Sequence, residues 1–121
     1  MSAVSTDWEG GNTHLLVLTT VGDKEAAQTL VKGLIEERLA ACGTMVDAAS
    51  IYRWDGKIAQ EGEILILLKT HRDRWEDLKA AIQKSHPYDV PELLALPVQA
   101  GLDAYLHWVR TETTLEGEKH R

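Results

Sequence analysis

Asp55-Gly56 stands between two runs of strand-forming residues and constrains the fold more than any other pair in the chain. From Met45 to Lys69 the sequence reads Met-Val-Asp-Ala-Ala-Ser-Ile-Tyr-Arg-Trp, then Asp-Gly, then Lys-Ile-Ala-Gln-Glu-Gly-Glu-Ile-Leu-Ile-Leu-Leu-Lys. A two-residue hairpin turn needs φ > 0 at both central positions, which Gly supplies without strain. Arms of about ten to twelve residues at about 3.3 Å each reach roughly 35 Å, whereas the mean strand has only about five or six residues. The other strand candidates are short, so the far half of the hairpin has no partner within the chain. A long unpaired strand edge is a template for another chain. The hairpin is therefore expected to pair with copies of itself.

The remaining composition suits one domain. A chain of 121 residues buries a real core without disulfides or metal. Net charge is −6 with no basic cluster, and phosphate binding needs concentrated Lys and Arg, so nucleic acid and anionic membrane are not expected partners. No apolar run approaches the roughly 18 residues of a membrane-spanning helix. The segment 1–13 is polar and lacks the basic-then-apolar order of a signal peptide. Cys42 is the sole cysteine, which rules out an internal disulfide and points to a cytoplasmic protein with Cys42 as a small buried hydrophobe.

In chain order, residues 1–13 read as a loose tail containing Trp8 and Gly10-Gly11-Asn12. His14 to Val21 is a short, nearly continuous apolar run, which predicts a central strand. Asp23 offers an N-cap, and Ala27, Leu30, Val31, Leu34 and Ile35 recur at helical spacing, predicting a helix to about Leu39. Gly33 inside it implies a close approach to the sheet. Gly62 in the second arm suggests a bulge or bend. Ile64 to Leu68 is apolar without alternation, so that end of the strand lies deep in the sheet. Ile51, Tyr52, Trp54 and Ile58 place large apolar groups near the tip, which an isolated ribbon cannot bury.

Thr70-His-Arg-Asp73 resembles a capping box. Trp75, Leu78 and Ile82 then define an amphipathic helix that must end before Pro87. Glu92 to Pro97 is a short last strand, and Gly101 to Thr111 a third helix with Leu102, Tyr105, Leu106, Trp108 and Val109 on a broad apolar face. A charged tail spans 112–121. The order β-α-β-β-α-β plus a helix defines an α+β, ferredoxin-like sandwich with a long central hairpin over residues 14–111. The open face of its sheet still needs cover.

Chemistry concentrates in Ser85-His86-Pro87-Tyr88-Asp89-Val90-Pro91-Glu92. Either His86 is a metal ligand or general acid/base assisted by Glu92, or the segment is a stiff connection in which His86 and Tyr88 satisfy buried hydrogen bonds. Metal sites usually cluster their His and Cys, whereas His14, His71, His107 and His120 are scattered. Lys69 either binds a ligand or pairs with a carboxylate at the strand end. No G-x-S-x-G, P-loop or G-x-G-x-x-G occurs, and no catalytic constellation is found. The chain does not read as an enzyme.

Five motifs in one order carry a resemblance. Arg38-Leu-Ala-Ala-Cys42, Ser50 to Ile58, Glu63 to Thr70, His86-Pro-Tyr-Asp-Val-Pro-Glu92 and Tyr105-Leu-His-Trp108 resemble the CutA divalent-cation tolerance family from about His14 to Thr111. The resemblance implies a homotrimer whose long hairpins exchange strand contacts, and a role in cation tolerance. It also implies an architecture similar to the PII-type signalling trimers, which bind small effectors between subunits. Trp54, Lys69, Tyr88 and Glu92 are the residues expected at such a cleft. In the enterobacterial branch the ligands proposed for copper are a Cys and two adjacent His. The matching positions here are Thr19, Ser85 and His86, so a divalent ion such as copper has only His86 of that set to hold it.

Overall fold

The computed structural model describes residues 13–115. All but the last residue of the tail containing Trp8 and all but the first four residues of the charged tail lie outside the described residues.

Four strands form one antiparallel sheet: β1 (His14–Val21), β2 (Cys42–Trp54), β3 (Lys57–His71) and β4 (Leu93–Pro97). Their order is β2-β3-β1-β4, so β1 is central as its unbroken apolar run predicts. Helices α1 (Lys24–Glu36) and α2 (Trp75–Ser85) follow β1 and β3, and α3 (Asp103–Glu112) closes the chain. This is the ferredoxin-like βαββαβ order with an added helix.

The hairpin arms are 13 and 15 residues long, longer than expected, and pair without interruption from Cys42↔Lys69 to Trp54↔Lys57. Asp55 (φ 53°) and Gly56 (φ 74°) make the turn, both in the left-handed region that a two-residue hairpin turn requires. Gly62 pairs in register with Ala49 and introduces no bulge. The expected bend is absent because Gly62 simply continues the ladder.

Side chains alternate across the sheet. Leu15, Val17, Ile66 and Leu68 face the helices and meet Leu34, Leu78 and Ile82 in the core, all nearly fully buried. Gly43 belongs to this face: a Cβ there would lie 2.6 Å from Val31 Cγ1 and 3.1 Å from Leu68 Cδ2. The opposite face, carrying Leu16, Leu18, Leu65 and Leu67, is only half-buried, and Val46, Leu94 and Leu96 on it are exposed.

Helix α1 begins as predicted, with Asp23 Oδ1 accepting from the Ala26 N–H at 2.7 Å. It stops at Glu36 rather than Leu39 because Arg38 takes φ 60°. The Arg38 N–H then reaches Ile35 O and the Leu39 N–H reaches Leu34 O, the paired bonds of a Schellman stop. Glycine is usual there. Arg38 instead fastens its guanidinium to the end of α3, donating from Nη1 to Glu112 O at 3.1 Å.

Three further expectations are corrected. Nothing lies within 4 Å of a Cβ built on Gly33, so that glycine marks open space and not a close approach. Thr70 does not cap a helix; its hydroxyl donates to Leu39 O at 2.7 Å. His71 accepts from the Asp73 N–H instead, heading a single 3-10 turn (Arg72–Arg74) that leads into α2. The third helix begins at Asp103 rather than Gly101, with Leu102 extended before it; on it only Val109 is fully buried, while Tyr105 and Trp108, like Leu102, stay exposed.

Candidate functional site

The stiff loop after α2 packs at the corner where the hairpin leaves the body. β1 ends at Val21, opposite Ile64, and from there outward β3 has, among the described residues, only β2 beside it. Pro87 prevents the helix from continuing, and His86 terminates α2 with extended backbone (φ −74°, ψ 139°). Its ring turns inward and is buried. Nε2 lies 2.7 Å from Thr20 O and Nδ1 accepts from the Tyr88 N–H at 3.1 Å. A carbonyl only accepts, so Nε2 carries the hydrogen and both ring nitrogens are engaged.

Thr19 is fully buried one residue away, and its hydroxyl donates to Glu92 O at 2.7 Å. The loop is thus fastened to the end of β1 at both of its ends. Ser85 is exposed and lines the groove between the two helices. Thr19, Ser85 and His86 therefore do not converge as a donor set: one oxygen is committed to a carbonyl, one lies on another surface, and the imidazole would have to break a hydrogen bond to ligate. Among the described residues no group of three or more His, Cys, Asp or Glu side chains is placed to hold an ion. A divalent ion does not fit this constellation.

The four residues expected at an effector cleft are dispersed within one chain. Tyr88 and Glu92 are exposed on the corner loop. Burial and the charges of Glu63, Glu61 and Asp23 push the Tyr88 phenol above its ordinary pKa. Tyr52 donates to Glu61 at 2.7 Å from the neighbouring strand, and that hydrogen bond raises its pKa in turn. Lys69 sits at the root of the hairpin on the open sheet face, with Nζ 2.5 Å from Thr44 Oγ1 and 3.7 Å from Cys42 Sγ. Its partner is thus a hydroxyl and not the carboxylate considered. Trp54 is at the tip, 71% exposed. Lys69 and Lys57 are the two ends of the pairing ladder, so Trp54 and Lys69 are about 40 Å apart along the ribbon. A cleft containing both requires another chain.

A cluster missed in the sequence holds the root of β3. His14 and His71 are cross-strand partners, their ring centroids 5.0 Å apart edge to face. His14 Nε2 is 2.8 Å from Leu106 O, and Arg110 Nη1 approaches His71 Nδ1 to 2.6 Å and Asp73 Oδ2 to 2.8 Å. Burial and the neighbouring Arg110 guanidinium lower His71 to a pKa of about 4, with Asp73 opposing. Burial would raise the Asp73 carboxyl, but the Arg110 hydrogen bond and charge outweigh it and hold it below the usual range. This group docks α3 on the sheet. The signal available was the register: once His14 opens β1 and His71 closes β3, the antiparallel pairing sets them opposite each other.

This four-stranded antiparallel sheet with its helices is the fold of one class of small tolerance proteins, whose solved structures superpose on it closely. The family described as "CutA1 divalent ion tolerance protein" matches residues 15–112, and this chain belongs to it. The chain is 46% identical over 99 residues to the divalent-cation tolerance protein CutA of Thermus thermophilus, covering 81% of this chain and 96% of that one. It is 41% identical to the CutA of Pyrococcus horikoshii, covering 82% and 97%. Among solved structures, the Cut A1 protein of Thermus thermophilus superposes with a TM-score of 0.80 at 44% identity, over 83% of this chain and 98% of that one. The CutA of Synechococcus elongatus gives 0.82 at 37% identity, over 84% and 91%. No helix among the described residues is long and apolar enough to cross a membrane.

Proposed function

We propose that this chain serves divalent-cation tolerance as a non-catalytic homotrimer assembled through its long hairpins. The observation that carries the reading is the outer edge of β2, 13 residues long with no strand beside it among the described residues. An edge of that length does not stay open in a soluble protein. The sheet face beside it carries Leu94 at 54%, Val46 at 45% and Leu96 at 43% exposure in the single chain, an apolar surface suited to another subunit. The family resemblance supplies the number three, and the relatives' names supply the role in tolerance.

Light scattering on the purified protein tests the assembly. A mass of about three times 13.5 kDa is expected, persisting on dilution because the subunit depends on its neighbours. A folded monomer would overturn the reading. It assigns no metal ion to His86. Calorimetric titration with Cu²⁺ should give the same heats for wild type and His86→Ala, and tight binding lost in the variant would reverse that assignment.

A second reading, an effector site between subunits, is favoured by the exposed indole of Trp54. No partner for it exists within its own chain's tip, and an aromatic delivered to a neighbouring subunit's Tyr88 or Lys69 would close a cleft there. Trp54→Ala would then abolish effector binding with the trimer intact.

A further inference from the structure

Gly33 opens the last turn of α1 (Lys24–Glu36), still inside the helix, where glycine weakens it relative to alanine. Two reasons usually justify such a glycine, and neither applies. Its φ is not positive, unlike that of Gly56, and a Cβ would touch nothing within 4 Å. What lies over it is a groove of about 550 Å³ between α1 and α2.

The groove has a definite chemistry. Its floor and walls include Leu30, Leu34, Ala81 and Pro87, with Gly33 between them. Carboxylates stand at both ends, Asp23 and Glu25 at the start of α1 and Glu37 just beyond its end, and among the described residues no Lys or Arg lines it. From Asp23 to Glu37 the helix rises roughly 20 Å. The trough is therefore long, apolar in the middle and acidic at each end. It lies on the helix side of the sheet, away from the face invoked for trimer assembly.

We propose that this groove is a docking site for a basic amphipathic helix of a partner protein. About 13 or 14 helical residues match its length. An apolar stripe on that helix would lie along Leu30, Gly33 and Leu34, with a large side chain in the space left by the missing Cβ. Lys or Arg at the ends of the partner helix would meet Glu25 and Glu37. The two segments outside the described residues do not suit the groove: residues 1–12 contain Asp7 and Glu9 but no Lys or Arg, and residues 116–121 contain no apolar side chain. A second copy of the chain brings the same acidic excess, its net charge being −6.

The test uses the intact protein and a labelled, amidated 15-residue helical peptide of Leu and Lys, with a Leu and Glu peptide as control. The Lys peptide should bind saturably at one per chain and the Glu peptide should not. Gly33→Leu, which fills open space and favours the helix, should weaken binding at least about ten-fold by removing the apolar contact. The double variant Glu25→Gln, Glu37→Gln should weaken it by about three-fold or more. Glu76→Gln, a carboxylate outside the groove lining and 78% exposed, should leave it unchanged.

Amide-shift mapping on the wild type should confine the response to α1 and the last turn of α2, independently of whether any variant folds. Equal binding by Gly33→Leu, equal loss in Glu76→Gln, or shifts spread over the surface would overturn the proposal as mere charge attraction. Full displacement by a short alkylammonium ion would also overturn it, reassigning the groove to a small amphipathic cation.

Discussion

The two halves of one hairpin are built from the same ladder and have opposite surroundings. In the root half of β3, Ile64, Ile66 and Leu68 are at most 8% exposed, with β1 beside them and two helices across one face. In the tip half, Ile51, Trp54 and Ile58 are 64–71% exposed, although the backbone pairing is equally regular. Backbone hydrogen bonds alone do not stabilise an isolated two-stranded ribbon in water. The root is held by burial within its own chain. The tip carries Ile51, Trp54 and Ile58 without such burial, and the proposed assembly would supply the cover its own chain does not.

Substitutions along the ribbon separate these cases, and the largest effect belongs to the root. Ile66→Ala removes a fully buried side chain facing the helices and should cost about 2–5 kcal/mol in denaturant unfolding, from lost transfer energy and the cavity left behind. Ile58→Ala at the tip leaves no cavity in the single chain. Its effect should appear as faster subunit exchange, measured by mixing labelled and unlabelled protein. If Ile58→Ala lowers neither assembly nor stability, the tip has no partner and the contrast with the root loses its meaning.

The next effect depends on pH and belongs to the residue at the very root. His71 has a native pKa of about 4, set by burial and Arg110, with Asp73 opposing and His14 and Arg72 adding to the lowering. Its ordinary value is about 6.5. Between these values the unfolded chain binds a proton that the native chain does not, so stability rises with pH across that window. The contribution is complete above about pH 6.5 and is lost as pH falls toward 4. It should amount to roughly 3 kcal/mol. Unfolding free energies measured from pH 4 to pH 7 should show this slope in the wild type and a flatter one in His71→Asn, whose amide oxygen still accepts from the Asp73 N–H. Equal slopes would place the pH dependence elsewhere.

What was legible in the sequence follows the range of the forces involved. The Asp55-Gly56 turn, the Asp23 cap and the end of α2 before Pro87 depend on residues within a few positions, and each is found where local chemistry sets it. The central place of β1 could be read because a strand covered on both edges leaves a continuous apolar run. His86 and Thr19 are different. Both stood out by type or position, but the atoms they bond, Thr20 O and Glu92 O, are 66 and 73 residues away in sequence. Gly33 was misjudged for the same reason. Glycine in a helix signals either close approach or open space, and only the position of α2 decides which.

Two glycines, one in each half, come last, and the one in the tip half has the smallest effect. At the root, Gly43→Ala puts a Cβ 2.6 Å from Val31 Cγ1 and 3.1 Å from Leu68; overpacking of this kind costs about 1–3 kcal/mol. In the tip half, a Cβ on Gly62 would meet nothing closer than Ala48 O at 4.0 Å. Gly62 pairs regularly with Ala49 and lacks a positive φ, so alanine there loses no native conformation and restricts the unfolded chain. Within one subunit Gly62→Ala should stabilise by about 0.4–1 kcal/mol. The sign of this change is informative even though its size is small. Stabilisation means the surface at Gly62 remains open in the assembled protein. Destabilisation, with unchanged secondary structure, means that another chain's atoms lie where the Cβ would go, and it would mark the tip half as a packed interface.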